Sequence, residues 1–457
     1  MLDFSRLKCY SIVIIRDTYM FAYRRGFILF GVGRIIKLHK TVLLLAVVLT
    51  TPVVTAESKL EDWPQFRGPT GQGVAENADP PLHWSQTKNV AWKKAIPGGG
   101  WSSPIVYRGS VYLTTAHVDK DGHPTSLRVL RIDATDGDII WSREVFTPKG
   151  PQTKHDKNSH ASATSIIEDG RVYAHFGEMG TACLDADGKV LWRQNNLTYD
   201  SMHGNGGSPI LAGDKLIFSC DGKTDPFVVA INKLTGDVAW KVIRTKTDAK
   251  NKFSVSTALL INENGRKAVV SPGSGAVHAY DPDNGKEIWR LDYGQGFSVI
   301  ARPVYGHSMI FISSGFSDSH VYAIRAGGNG DVTDTHLVWK SKKGTPMTPS
   351  MLLIGGELYF VSDNSLVSCV DAATGKKHWQ KKVGGKFSAS PVFANNRLYL
   401  TNEKGKTFVI KAATEFELLA ENDLQERTLA STAVSGDTLF IRTASHLYRI
   451  ERLQSAP

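Results

Sequence analysis

The chain has 457 residues, a formal net charge of +10, 42 Gly and 41% hydrophobic residues, which is more than one ordinary sandwich domain and enough for a large buried core. The charge is uneven: residues 1–56 hold eight Lys/Arg against two Asp/Glu, leaving 46 basic and 42 acidic residues elsewhere. A spread of +4 over 401 residues gives no basic footprint for nucleic acid, and runs such as Lys340-Ser-Lys342-Lys343 read as solvated strand edges.

In chain order, the N-terminal stretch comes first. Lys37 and Lys40 precede the apolar run 42–49, and Val54-Thr55-Ala56 presents small residues where a signal peptidase cuts. The run is shorter than the roughly 20 apolar residues of a membrane span. An export signal is expected, with Met20 as a second candidate start. An uncleaved anchor over 27–54, close to a membrane, is the alternative. Cys9 precedes the apolar run without the small-residue context of a lipoprotein. The expected organisation is a signal or anchor region (1–56), an extension (57–88), one repeat domain (89–452) and a short tail (453–457).

The repeat is a phrase: an Asp or Asn, a Gly three or four residues on, and a Trp four residues after that. It reads Asp133…Gly137…Trp141, Asp185…Gly188…Trp192, Asn232…Gly236…Trp240, Asp281…Gly285…Trp289 and Asp371…Gly375…Trp379. The carboxylate or amide satisfies turn N–H groups, Gly takes a positive φ, and the Trp stands on the following strand. A period near 50 residues means a repeat architecture. Upstream of each phrase, a small residue and often Pro open an apolar hairpin, at Ser103-Pro104, Ser208-Pro209 and Ser390-Pro391, with weaker openings at Ser162, Ser256, Arg302, Thr348 and Ser431.

Eight openings and eight closings give eight four-stranded units. Trp339 closes one of them, and a degenerate closing lies at Phe416-Glu-Leu-Leu. The last unit has chain for three strands only. Its fourth is expected from Asn89-Val-Ala-Trp92-Lys, which closes the ring. The fold class is all-β, an eight-bladed β-propeller whose structural repeat residues are Trp92, Trp141, Trp192, Trp240, Trp289, Trp339 and Trp379.

The Trp-terminated blades resemble the pyrroloquinoline quinone (PQQ)-like repeat propellers, the superfamily of the quinoprotein alcohol dehydrogenases. The opening Asp62-Trp-Pro-Gln-Phe-Arg-Gly68-Pro and Trp101-Ser-Ser-Pro104 resemble secreted bacterial propellers of this type. The superfamily's catalytic members imply a cation held by carboxylate and amide oxygens, an aromatic floor, a basic residue and an Asp base. Trp101, Lys157, Asn158, Asn205, Arg302 and Lys386 are of similar types, but no carboxylate pair matches. There is also no adjacent Cys pair and no Cys-x-x-Cys-His. Cys183 and Cys369 occupy matching third-strand positions in opposite blades, too far apart to bridge.

Loops entering each inner strand converge on a propeller's channel. Those loops carry Trp101, His155, Lys157, Asn158, His160, His203, Asn205, Arg302 and Lys386, the candidate ligand-binding residues. His155, His160 and His203 come from neighbouring blades and are the candidate metal ligands; loop stabilisation is the competing role. No Ser stands in a nucleophile elbow. The expectation is an exported, monomeric, non-catalytic platform for a protein or small ligand, without cofactor. The alternative is a PQQ- and calcium-dependent, or otherwise metal-dependent, oxidoreductase.

Overall fold

A computed structural model describes residues 60–222, 225–249 and 252–453, with the backbone of four short strands between 13 and 27. The expected signal run 42–49 and its cleavage site lie outside the described residues. Residues from 60 onward belong to one compact unit spanning 56–457.

Within it, eight antiparallel sheets follow one another as blades. Blade 1 is Ile105–Tyr107, Ser110–Val118, Pro124–Asp133 and Ile139–Phe146. Blades 2 to 7 repeat the pattern over 166–194, 210–243, 259–292, 304–341, 352–382 and 392–423. Blade 8 is Ala433–Ser435, Thr438–Arg442 and His446–Ile450, completed by Val90–Ala95 with Trp92 opposite Arg449. The eight-bladed propeller is closed by its N-terminal strand. The inner strands of the repeat open later than Ser162, Ser256 and Thr348: the matching small residues are Thr164, Thr257 and Ser350.

Third strands such as Phe227–Asn232 are buried on both faces, which is why they read as unbroken apolar runs rather than alternating ones. The repeat phrase works as an inter-blade latch. Asn232 Oδ1 accepts from the Leu234 N–H at 2.8 Å, fixing the turn. Gly236 has φ +82°, and a Cβ there would stand 2.7 Å from the Trp192 ring of the preceding blade. The glycine is therefore required twice, for conformation and for ring contact. Each docked indole also donates Nε1–H to the next blade: Trp92 to Ala134 O (3.1 Å), Trp141 to Ala186 O (2.9 Å), Trp192 to Lys233 O (3.1 Å), Trp240 to Pro282 O (3.0 Å), Trp339 to Ala372 O (2.9 Å) and Trp379 to Ala413 O (2.9 Å).

Two junctions depart from this. After blade 4, Gly330–Asp331 pairs in parallel with the outer strand, and Val332 shares a core with Trp289. In blade 7 the outer strand Leu418–Asp423 carries Ala420 in the Trp register position, opposite Val409. Trp84, from the N-terminal extension, fills the space. It stacks on Tyr399 at 6.3 Å, much as Tyr173 meets Trp192 at 6.2 Å in blade 2. Asn422 clamps it, accepting from the Trp84 N–H (2.8 Å) and donating to Leu82 O (3.1 Å).

Cys183, Cys220 and Cys369 are free and buried. Cys183 pairs with Trp192 and Cys369 with Trp379, the same position in blades 2 and 6.

Candidate ligand site at the closed channel

The extension also shapes the channel. Trp63 bridges to Val106 of blade 1, and Pro64 O accepts from the Ile167 N–H of blade 2 (2.9 Å). Gln72 Oε1 accepts from the Tyr305 N–H of blade 5 (2.6 Å), and Gly73 O from the Phe393 N–H of blade 7 (2.8 Å). Ser435 of blade 8 donates to Glu61 O at 2.5 Å. Residues 61–75 thus cross the channel at the end where the inner strands turn back. Phe66 faces the resulting cup, a cavity of about 420 Å³.

One side of the cup is aromatic. Phe253 and Phe297 lie 6.3 Å apart, the His203 ring stands edge-on to both, and Trp101 and Phe316 complete it. At the mouth, Arg427 lies 5.5 Å over Trp101, and Lys157 pairs with Glu403 at 2.6 Å. Burial pushes the Glu403 carboxyl up, but hydrogen bonds from Lys157 and Ser388 outweigh that and hold it below its ordinary value.

Lower down, a belt of hydroxyls runs around the channel. Ser103 N–H donates to Thr164 Oγ1, Thr164 N–H to Ser208 Oγ and Ser208 N–H to Thr257 Oγ1, each at 2.9 Å. Arg302 N–H donates to Ser350 Oγ, Ser350 N–H to Ser390 Oγ and Ser390 N–H to Ser431 Oγ, again at 2.9 Å, and Ser431 N–H returns to Ser103 Oγ at 3.2 Å. The small opening residue of each blade is thereby explained: it ties neighbouring inner strands together.

Arg302 takes the place of the hydroxyl in blade 5. It is 2% exposed, and its Nε and Nη1 donate to Ala258 O (3.1 Å) and Phe66 O (2.7 Å). Arg67 reaches Pro391 O (3.2 Å) and Met351 O (2.5 Å), while Arg442 reaches Ser102 O (3.2 Å) and Thr114 O (2.9 Å). Among the described residues, none of these three guanidiniums has a carboxylate partner. Burial alone pushes Arg302 and Arg442 down to about 9. Arg67 falls to about 9 through burial and the nearby Arg302. All three stay charged at neutral pH.

The sequence-derived candidates divide accordingly. Trp101, His155, Lys157, Asn158 and His203 line the cup. His155 and His203 are ring neighbours at 5.5 Å, and Asn158 Nδ2 donates to His203 O (2.9 Å) and Asn205 O (3.3 Å), holding the two loops together. His160 turns away: its Nε2 meets Gly122 O at 3.3 Å, and it lines a separate small cavity with Asn205. Among the described residues no three or more His, Cys, Asp and Glu are gathered as a metal-ligand cluster, and His155, His160 and His203 do not come together as one. Lys386 is not in the lining, and Arg302 serves the belt. Phe66, Phe316 and Leu429 line the cup without having been singled out from sequence. Phe66 stands in the extension, whose place across the channel no local pattern signals. No Asp or Glu is among the described lining residues.

Comparison with known proteins agrees with this architecture. The family model described as outer membrane protein assembly factor BamB matches residues 77–224, 159–364 and 317–454. The outer membrane protein assembly factor BamB of Shewanella oneidensis is 24% identical over 329 residues, covering 66% of this chain and 75% of that protein. A quinoprotein ethanol dehydrogenase of Pseudomonas aeruginosa is 32% identical over 157 residues, 31% of this chain and 24% of the enzyme, so the chain spans about a quarter of that relative. Among solved structures, BamB from Moraxella catarrhalis superposes with a TM-score of 0.54 at 12% identity, covering 80% of this chain and 99% of that one. A europium-containing methanol dehydrogenase gives 0.58 at 13% identity, covering 84% and 90%. The propeller geometry, the repeated latch and the family match over most of the chain agree: the chain belongs to the BamB-type family of PQQ-like repeat propellers.

Proposed function

We propose that this chain is an exported, non-catalytic propeller that binds a ligand or protein partner on its channel face. The observation that carries this reading is the lining of the cup. A quinone–calcium centre needs carboxylate and other hard oxygen donors around the cation, and the resemblance to the quinoprotein dehydrogenases implies an Asp base beside it. The cup offers aromatic and aliphatic side chains, hydroxyls, imidazoles, one amide and the Lys157 ammonium, and the carboxylate at the mouth, Glu403, is tied to Lys157 and Ser388. The residues present do not fit the quinone–calcium pair. The assembly-factor relatives, matched over two thirds of the chain, support a binding role. The expected signal segment supports export, and among the described residues no helix is long and apolar enough to cross a membrane.

The test is to titrate the full chain with PQQ in calcium while following melting temperature and quinone absorbance. The expected result is no calcium-dependent, saturable shift. A saturable shift followed by dye reduction with an alcohol would overturn the reading in favour of a quinoprotein oxidoreductase.

A further inference from the structure

The belt leaves a chemical residue of its own. Each of its seven hydroxyl oxygens, on Ser103, Thr164, Ser208, Thr257, Ser350, Ser390 and Ser431, accepts a backbone N–H from the neighbouring blade. That spends acceptor capacity and leaves each O–H proton to donate. No described residue accepts from any of the seven. All seven line the cup, and each is no more than 6% exposed. A ring of donors without protein acceptors is satisfied by water or by a ligand acceptor that displaces it.

The electrostatics point the same way. Each of the three buried guanidiniums without a carboxylate partner grips the backbone one residue from the belt. Arg67 holds Pro391 and Met351, Arg302 holds Ala258, and Arg442 holds Ser102. Positive charge is therefore fixed at belt level, in a closed end of low dielectric, where it acts more strongly than on an open surface. Above it stands an aromatic wall that offers burial to an apolar body.

We infer that the closed end of the channel binds the head group of an organic monoanion, a carboxylate or a sulfonate- or phosphate-type group, with the ligand's apolar body against Phe253, Phe297 and Trp101. The inference rests on the channel-face reading above and gives it a ligand class. The seven O–H groups are the donors, and the arginines supply the sign of the field.

The experiment is calorimetric titration of the full, unaltered chain with four probes of equal chain length: octanoate, octanesulfonate, octanol and octylammonium. At least one anion should bind saturably, on the order of tenfold tighter than octanol, the factor expected of a hydrogen bond to a charged group, and octylammonium should bind weakest. Which anion binds tighter identifies planar or tetrahedral head-group chemistry. Phe297→Ala should weaken both anions and octanol alike, whereas Ser390→Ala, checked for folding by circular dichroism, should weaken the anions alone. Octanol binding as tightly as both anions, or octylammonium binding tightest, would overturn the anion site and leave the platform reading standing. No binding by any of the four would also overturn it. Neither result resembles failure of the platform reading, which needs calcium-dependent quinone binding with dye reduction.

Discussion

Blade 3 carries its own latch, for Trp240 packs in its blade and donates its indole N–H to Pro282 O of blade 4. Blade 7 has Ala420 in that register position and borrows Trp84 from a segment more than 300 residues earlier. The borrowed ring reproduces the stacking but not the bond, since the buried Nε1 of Trp84 has no hydrogen-bond partner. The comparison separates two things that the repeat phrase does at once. Filling the space beside the second-strand aromatic is a matter of shape, open to any segment that reaches it. Donating to the next blade requires a ring fixed in one orientation by its own strand.

Full truncation should hit both rings hardest. Trp240→Ala and Trp84→Ala should each lower stability by about 3–5 kcal/mol, as for other buried aromatic truncations, read from denaturant midpoints. A loss well under 1 kcal/mol for Trp84→Ala would show that the extension is not part of the blade 7 core. The next largest difference lies in the turns. Gly236→Ala should cost about 2–4 kcal/mol, combining left-handed strain with overpacking against Trp192. Gly213→Ala, at φ +62° with open space around it, should cost about 1 kcal/mol. Equal effects would mean that the latch adds nothing to the turn. The smallest and sharpest comparison is Trp→Phe. Trp240→Phe should cost about 2 kcal/mol, because it strands Pro282 O and removes volume. Trp84→Phe should stay within about 1 kcal/mol, because it also removes a buried, unpaired N–H. A larger loss at Trp84 than at Trp240 would reverse the assignment.

The same contrast explains what could be read from the chain. The five Asp/Asn…Gly…Trp phrases announce the blades because the turn and the Trp position lie within ten residues, although the latch partners lie in the neighbouring blades. Strand Val90–Ala95 was legible because blade 8 lacked a partner and Trp92 matched the others. Trp84 was not, for its partners Tyr399 and Asn422 stand far along the chain and it lies outside any phrase. In the channel, His155 and His203 stood in loops of adjacent blades and do meet, while His160, five residues from His155, turns toward Gly122 because loop spacing fixes no direction. The hydroxyl belt was half visible. Ser103, Ser208 and Ser390 are marked by the Pro that follows, whereas Thr164, Thr257 and Ser350 lack that Pro and lie one or two residues beyond the openings expected at Ser162, Ser256 and Thr348.

The strap across the channel also sets an order of events. Residues 61–75 leave the ribosome long before their partners: Arg67 waits 324 residues for Pro391, and Glu61 waits 374 for Ser435. Contacts of such sequence separation form late and make folding slow. The floor under Phe66 is complete only once the seventh and eighth blades are in place. Without those two blades the strap loses its contacts to Pro391, Phe393 and Ser435 and leaves the base open. A closed base is thus a property of the ring as a whole, and no single blade carries it.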